Sequence, residues 1–188
     1  IRTKSIISQI EPVEGGGFNL SVAGQKIYCQ SLVVASGGLS IPTLGASGFG
    51  YDIAEQFGLQ LLPRAAGLVP FTFSDWVKDI SEINSGLSVD VEMSVNGVSF
   101  RENLLFTHRG ISGPAALQLS SYWQPGQFIS VNLLPGQDAL ALLLGYKQSN
   151  PKSLLRNLIA PLLSKGLTQS LQARYWPQHA ETPIAEIA

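Results

Sequence analysis

Asn96-Gly97, set between SVDVEMSV and VSFRENLLF, is the strongest hairpin signal in the chain and the feature that most limits its fold. An Asn-Gly pair accepts positive φ at both positions, as a two-residue turn between right-twisted strands requires, and the flanking residues are strand formers that alternate in polarity. An antiparallel β unit is therefore predicted across GLSVDVEMSVNGVSFRENLLFTH. Downstream, RGISGPAALQLSSYW reads as a helix with Ser112 or Gly113 near the N-cap and Pro114 at the first helical position, where its missing N–H does no harm. FISVNLLPG supplies one further strand. From Gln137 onward the pattern is helical, with DALALLLGYKQ, PKSLLRNLIAPLLSKG and LTQSLQARYW divided by Pro and Gly.

The N-terminal part alternates as a hairpin would: TKSIISQIEPV, a turn at Glu14 to Gly17, then FNLSVAGQKIYCQSLVVAS. Within it LVVASGG, Leu32 to Gly38, reads as a buried parallel strand running into a paired-glycine turn. Such a backbone approaches a dinucleotide without a Cβ in the way. A loop carrying Pro42, Gly45, Gly48 and Gly50 then leads into a short helix with Tyr51, Ala54 and Phe57 on one face and Gly58 as its stop. The GGG at 15 to 17 is no substitute for a G-x-G-x-x-G that follows a strand and opens a helix, so any pyrophosphate cradle is incomplete.

Composition narrows the function classes. The 188 residues carry 12 Lys and Arg against 13 Asp and Glu, a formal charge of -1, with no basic run interleaved with aromatics. On that count nucleic acid is not an expected partner. Charged residues make up 13%, low for a soluble domain, and mean hydropathy is +0.18. A surface partly covered by something else is implied. The single cysteine, Cys29, cannot form an internal disulfide and suits a reducing, cytoplasmic setting. It reads as a small buried hydrophobe. No apolar run is long enough for a membrane span, the spacings of a zinc site are missing, and GASGFG places its serine off the nucleophile-elbow pattern.

Three ordered stretches carry a family resemblance: LVVASGGLSIPTLGASGFGYDIAEQFG, GLVPF at 67 to 71, and NLLFTHRGISGPAALQLSS at 103 to 121. Together they resemble the BaiN/YhiN-like, aminoacetone-oxidase-like family of FAD-dependent, NAD(P)-linked flavoproteins. The family's first motif is similar to A-T-G-G-x-S-x-P-x-x-G-S-x-G-x-G-Y; Ala35, Gly37, Gly38, Ser40, Pro42, Gly45, Gly48, Gly50 and Tyr51 stand in its places, with Ser36 for the usual Thr and Ala46-Ser47 for Ser-Thr. The resemblance implies an α+β chain with a partial FAD-binding, Rossmann-like segment over residues 1–70, then an inserted domain over 71–188. That domain would hold an antiparallel β-barrel over about 71–135 and a helical part over about 136–188. Since the family's N-terminal and C-terminal glycine segments are absent, the chain is expected to be a middle fragment, inactive alone, of an oxidoreductase that passes hydride between NAD(P)H or a small substrate and flavin.

On this reading Ser36, Gly37, Gly38, Pro42, Gly45, Gly48 and Gly50 contact FAD, whose chemistry the protein would orient and tune. His108, Arg109, Ser112 and Gly113 form a second candidate site: a helix N-terminus beside two basic side chains favours an anionic group of a substrate. Each has a plainer structural account, the glycines as turns, Ser112 as a cap and His108 as a hydrogen-bond donor. His179 is expected at the surface, and Trp76, Trp123 and Trp176 in packing. The expected partners are flavin, a small substrate and the rest of the parent chain. A competing reading, from a different class, is a non-enzymatic β-barrel module that binds a protein or RNA.

Overall fold

In the computed structural model, which describes residues 1–187, two units are distinguished by their internal contacts, the first running from Ile1 to Arg64 and the second starting at Ala65. The first is built on a three-stranded antiparallel meander of β1 (Ile7–Pro12), β2 (Phe18–Val22) and β3 (Gln25–Cys29). The run from Phe18 is thus two strands, because Ala23 and Gly24 adopt positive φ of 48° and 80° and fold β3 back on β2. Gly17 closes the earlier turn at φ 89°, where a Cβ would lie 2.8 Å from the Cys29 carbonyl oxygen.

Helix α1 (Phe49–Gln56) brings Ile53 into a small core with Ile10 and Leu20, with Cys29 packed at its margin. Gln56 Nε2 donates to the Ile10 carbonyl at 2.5 Å. The helix stops at Gly58, as its sequence predicts: with φ 74° there, Gly58 N–H reaches Glu55 O and Leu59 N–H reaches Ala54 O, each at 2.9 Å. Two carbonyls left over by the helix end are satisfied in this way.

Leu32 to Gly38 departs from expectation. The segment is irregular rather than a strand and largely exposed, Val33 by 86% and Val34 by 44%. A strand buried on both faces needs parallel neighbours and covering helices. Both sheets among the described residues are antiparallel throughout, so this apolar run has no ladder to join. In place of the Rossmann-like segment expected over 1–70, the described residues of the first unit show an antiparallel meander and one α-helix.

The second unit is α+β and centres on a five-stranded antiparallel sheet in the order β4-β7-β6-β5-β8. Its strands are β4 (Phe71–Thr72), β5 (Ser88–Val95), β6 (Val98–Thr107), β7 (Gly110–Ser112) and β8 (Ser130–Asn132). Asn96 and Gly97 take φ of 50° and 78°, and the hairpin pairs in register from Val95 opposite Val98 to Ser88 opposite Leu105. Alternation then sorts β5: Val89, Val91, Met93 and Val95 are buried, while Ser88 and Asp90 face out. Helix α2 (Trp76–Ile83) precedes the hairpin, its N-terminus capped by Asp75, which accepts from Val77 N–H at 3.1 Å.

Helix α3 (Pro114–Ser120) follows β7, with Gly113 at its N-cap and Pro114 at its first position. Ala115, Ala116 and Leu119 are fully buried against the inner face of the sheet. Small side chains let the helix axis lie close. Beyond β8 come α4 (Ala139–Ser149), α5 (Leu155–Leu163) and α6 (Lys165–Tyr175), with Leu163 and Leu167 entering the same core. Pro161 lies inside α5, within the segment expected to be one helix, and the break falls at Ser164, φ 126°, whose Oγ accepts from Leu167 N–H and starts α6. Across the sheet edge, Phe73 N–H donates to Arg109 O at 3.1 Å.

Glycines fix the joints of this unit. A Cβ on Gly110, at φ 150°, would stand 2.2 Å from the Phe71 carbonyl oxygen, and one on Gly113 would stand 2.7 Å from that of Asn103. Gly110→Ala is expected to destabilise the fold by about 2–4 kcal/mol, read as a lowered urea midpoint. Gly126→Ala, whose Cβ would meet nothing within 4 Å, should cost only about 1 kcal/mol through its positive φ. Equal losses for the two variants would contradict the close approach of β4 and β7.

Candidate functional site

The first set of expected site residues lies around the start of α1. Ser36 Oγ stands 3.3 Å from where a Cβ on Gly50 would be, and Tyr51 Oη 3.6 Å from one on Gly38. Pro42 opens a single 3-10 turn, Pro42–Leu44, which Gly45 ends at φ 88°, and Gly48 is the N-cap residue of α1. The structure thus gathers Ser36, Gly38 and Gly50 at one helix end, where the glycine admits the neighbouring segment. Pro42 and Gly45 shape the loop between, and Gly37 takes φ 76°. Arg64 lies 4.6 Å over the Tyr51 ring.

The second set is divided. His108 and Arg109 form the exposed turn between β6 and β7, held by Thr107 Oγ1 donating to Gly110 O at 2.9 Å. Ser112 and Gly113 sit half-buried at the far end of β7. The turn is next to α2, where the hydrogen bond from Lys78 Nζ at 2.7 Å, and after it the charge of that lysine, holds the Glu82 carboxyl below its ordinary value. Helix α3 has only seven residues, no side-chain cap and a proline at its first position, so few amides point outward from it.

A different surface carries the charge. From Ala139 through Ala180 the sequence contains Lys147, Lys152, Arg156, Lys165 and Arg174 and not one Asp or Glu. Whole-chain charge hides this, because the acids are concentrated elsewhere. An open groove of about 260 Å³ runs between α5 and α6, lined by Arg156, Asn157, Lys165, Thr168 and Gln169, with Ala160 and Pro161 at its floor. The Thr168 hydroxyl is buried and donates to Ser164 O at 2.7 Å, which leaves Lys165 and the side-chain amides of Asn157 and Gln169 as donors of the kind that phosphate oxygens accept from.

Arg156 is already committed. Its guanidinium forms a forked pair with Glu181, at 2.6 and 3.0 Å, and donates to Ala180 O at 2.8 Å. That pairing holds the Glu181 carboxyl below its ordinary value, first through the hydrogen bond, with burial opposing and charge adding. It also ties down the following segment, where Ile184, 2% exposed, donates its N–H to Ser153 O at 2.8 Å. Lys152, Lys165 and Arg174 have no ion-pair partner among the described residues. Lys147 Nζ donates to the Ile187 carbonyl.

At the far end of α6, Arg174 lies 5.2 Å over the ring of Trp76, and Tyr175 meets that ring edge-on at 6.0 Å. Trp76 is therefore not the packing residue its type suggested. Trp123 does fill that role, edge-on to Phe71 with its Nε1 donating to Gln127 O at 2.8 Å. What sequence reading missed here was a local signal, the acid-free stretch with aromatics at its end, averaged away by counting over the whole chain.

Residues 65–188, the second unit, match the family described as HI0933-like protein barrel and H2TH domain. The chain belongs to that family. Over 157 residues it is 52% identical to the ribosomal RNA dihydrouridine synthase of Escherichia coli (strain K12), covering 83% of this chain and 39% of that protein. To the ribosomal RNA dihydrouridine synthase of Haemophilus influenzae (strain ATCC 51907 / DSM 11121 / KW20 / Rd) it is 44% identical over 173 residues, 90% of this chain and 43% of that protein. It is also similar, at 26% over 136 residues, to the 3-dehydro-bile acid delta(4,6)-reductase of Clostridium scindens (strain ATCC 35704 / DSM 5676 / VPI 13733 / 19), covering 65% of this chain and 32% of that protein. The chain spans about two fifths of the length of the first two relatives.

Membership of the HI0933-like family corrects the assignment drawn from the motifs. The expected place among BaiN/YhiN-like, aminoacetone-oxidase-like flavoproteins is replaced, and with it the reading as a fragment of a FAD-dependent oxidoreductase using NAD(P)H. FAD and NAD(P)H are not assigned to this chain. The exclusion of nucleic acid falls as well, since the relatives at 52% and 44% are named for ribosomal RNA. Physically, the later motifs belong to the joints of the sheet unit. Ser120 Oγ accepts from Val69 N–H at 2.9 Å, binding GLVPF to α3, while Gly110 and Gly113 admit neighbouring backbone.

The Arg156–Glu181 pair yields a pH dependence. Because the folded-state carboxyl sits below its ordinary value, the contribution is present above the usual glutamate range, about 4.3, and is lost as pH falls through the depressed value. Hydrogen exchange should show the Ile184 amide less protected in Glu181→Gln at neutral pH, and less protected in the unaltered chain only in acid. Unchanged protection in the variant would show that the pair does not fasten this segment.

Proposed function

We propose that the second unit is the RNA-engaging part of a protein that acts on ribosomal RNA, and that the whole protein forms dihydrouridine there, as its relatives at 52% and 44% are named to do. The observation that carries this reading is the acid-free stretch from Ala139 to Ala180, with its five cations on and between α4, α5 and α6. A polyanion responds to charge within about a Debye length, roughly 8 Å at physiological salt, so local density outweighs the chain total of -1. The α5–α6 groove supplies donors for phosphate oxygens, and the five-stranded sheet, with Leu163 and Leu167 in its core, holds the helices in place. In this role the unit binds and orients; it supplies no reacting group.

The test is anisotropy titration of a labelled ribosomal RNA fragment across a salt series. Affinity should fall linearly on logarithmic axes, with a slope set by the number of phosphates engaged. Lys165→Ala and Lys152→Ala should each flatten that slope by about one and weaken binding of unrelated sequences equally. Binding that ignores salt, or variants that leave the slope unmoved, would refute the proposal.

A further inference from the structure

We infer that Trp76, Arg174 and Tyr175 form a stacking site for unpaired bases of RNA at one end of the α2–α6 pair, an inference that rests on the RNA reading above. Helices α2 and α6 run antiparallel. Asn84, following α2, donates from Nδ2 to Ser170 Oγ at 3.0 Å and crowds Gly166, while Trp76 at the other end meets Arg174 and Tyr175. Gly166 near the start of α6 permits this closeness, since a Cβ there would stand 3.0 Å from Asn84 Oδ1.

The three side chains are held open to solvent rather than absorbed into the fold. Trp76 is 39% exposed and Tyr175 56%, and neither belongs to the core cluster beneath them. Two aromatics and a guanidinium present flat faces, and a nucleobase stacks on either kind. The guanidinium already lies over the indole, so a base added to its outer face would extend an existing stack. Charge selects the form of RNA. Asp75 and Asp79 flank Trp76 on α2, so phosphates are repelled from that side and drawn toward Arg174 and the acid-free helices. A duplex, with its bases enclosed and phosphates outermost, offers this site nothing to stack. A single strand offers a base to the aromatics while its phosphates follow the cations.

Indole fluorescence of the 188-residue chain, titrated with a short oligouridylate and separately with a blunt RNA duplex of equal length, tests this. The single strand should quench emission, and Trp76→Phe should remove most of that quenching while Trp123 and Trp176 still emit. Trp76→Ala and Tyr175→Ala should weaken single-strand binding by roughly five- to a hundredfold and leave duplex binding within about twofold; Tyr175, being exposed, gives a variant whose folding is not at issue. Equal losses for both RNA forms, or none, would overturn the stacking site while the RNA reading stands. Binding of neither form by the unaltered chain would overturn both.

Discussion

Pairing of β5 with β6 is the constraint on which the second unit rests. One tight turn at Asn96-Gly97 sets the register, and because side chains alternate with a period of two, that register alone decides that Val89, Val91, Met93 and Val95 face inward together. Leu104 and Phe106 complete the patch from β6. Shifted by one residue, the same strands would bury Asp90 and Glu92 instead. The rest is arranged on this face: α3 lies on it with its alanines, Leu163 and Leu167 seal it from the helical side, and the short strands β4, β7 and β8 extend its edges.

What the sequence disclosed tracks how local the cause was. The hairpin, the Gly58 stop and the Pro114 helix start are decided by residues within a turn of one another, and each is visible without knowing the fold. Ala23-Gly24 was harder to see, since an alanine at positive φ is not a usual turn signal. Strands of two or three residues, such as β4 and β7, are too short to show a period, whereas β8 falls within the strand expected in FISVNLLPG. Leu32 to Gly38 has the composition of a central strand, but composition cannot provide the neighbours that a central strand requires. Pro161 breaks no helix because it sits where α5 is held by burial of Leu163 and by packing on α6.

The candidate site was less legible still. Gly113 in FTHRGISGPA drew attention as part of an anion site, and a Cβ there would stand 2.7 Å from the Asn103 carbonyl oxygen of the same unit. A residue without a side chain is required equally by an approaching cofactor and by an approaching backbone, and only coordinates tell the two apart. The charged surface failed for the opposite reason: every residue was in view, but the count was taken over too long a window.

Charge distribution within the second unit has a kinetic consequence. Outside the acid-free stretch, that unit carries three Lys or Arg, at 78, 101 and 109, against nine Asp or Glu; six of the nine, Asp75, Asp79, Glu82, Asp90, Glu92 and Glu102, belong to α2 and the β5–β6 hairpin, while Asp138 caps α4 and Glu181 pairs with Arg156. Acids and cations cancel in the isoelectric point of about 6.1 but not in the field around the molecule. A polyanion near this unit would be drawn toward the cations of α5 and α6 and repelled by Asp75 and Asp79 at the neighbouring end of α2 before any contact forms. A chain of almost no net charge can therefore still present one favoured face to such a molecule.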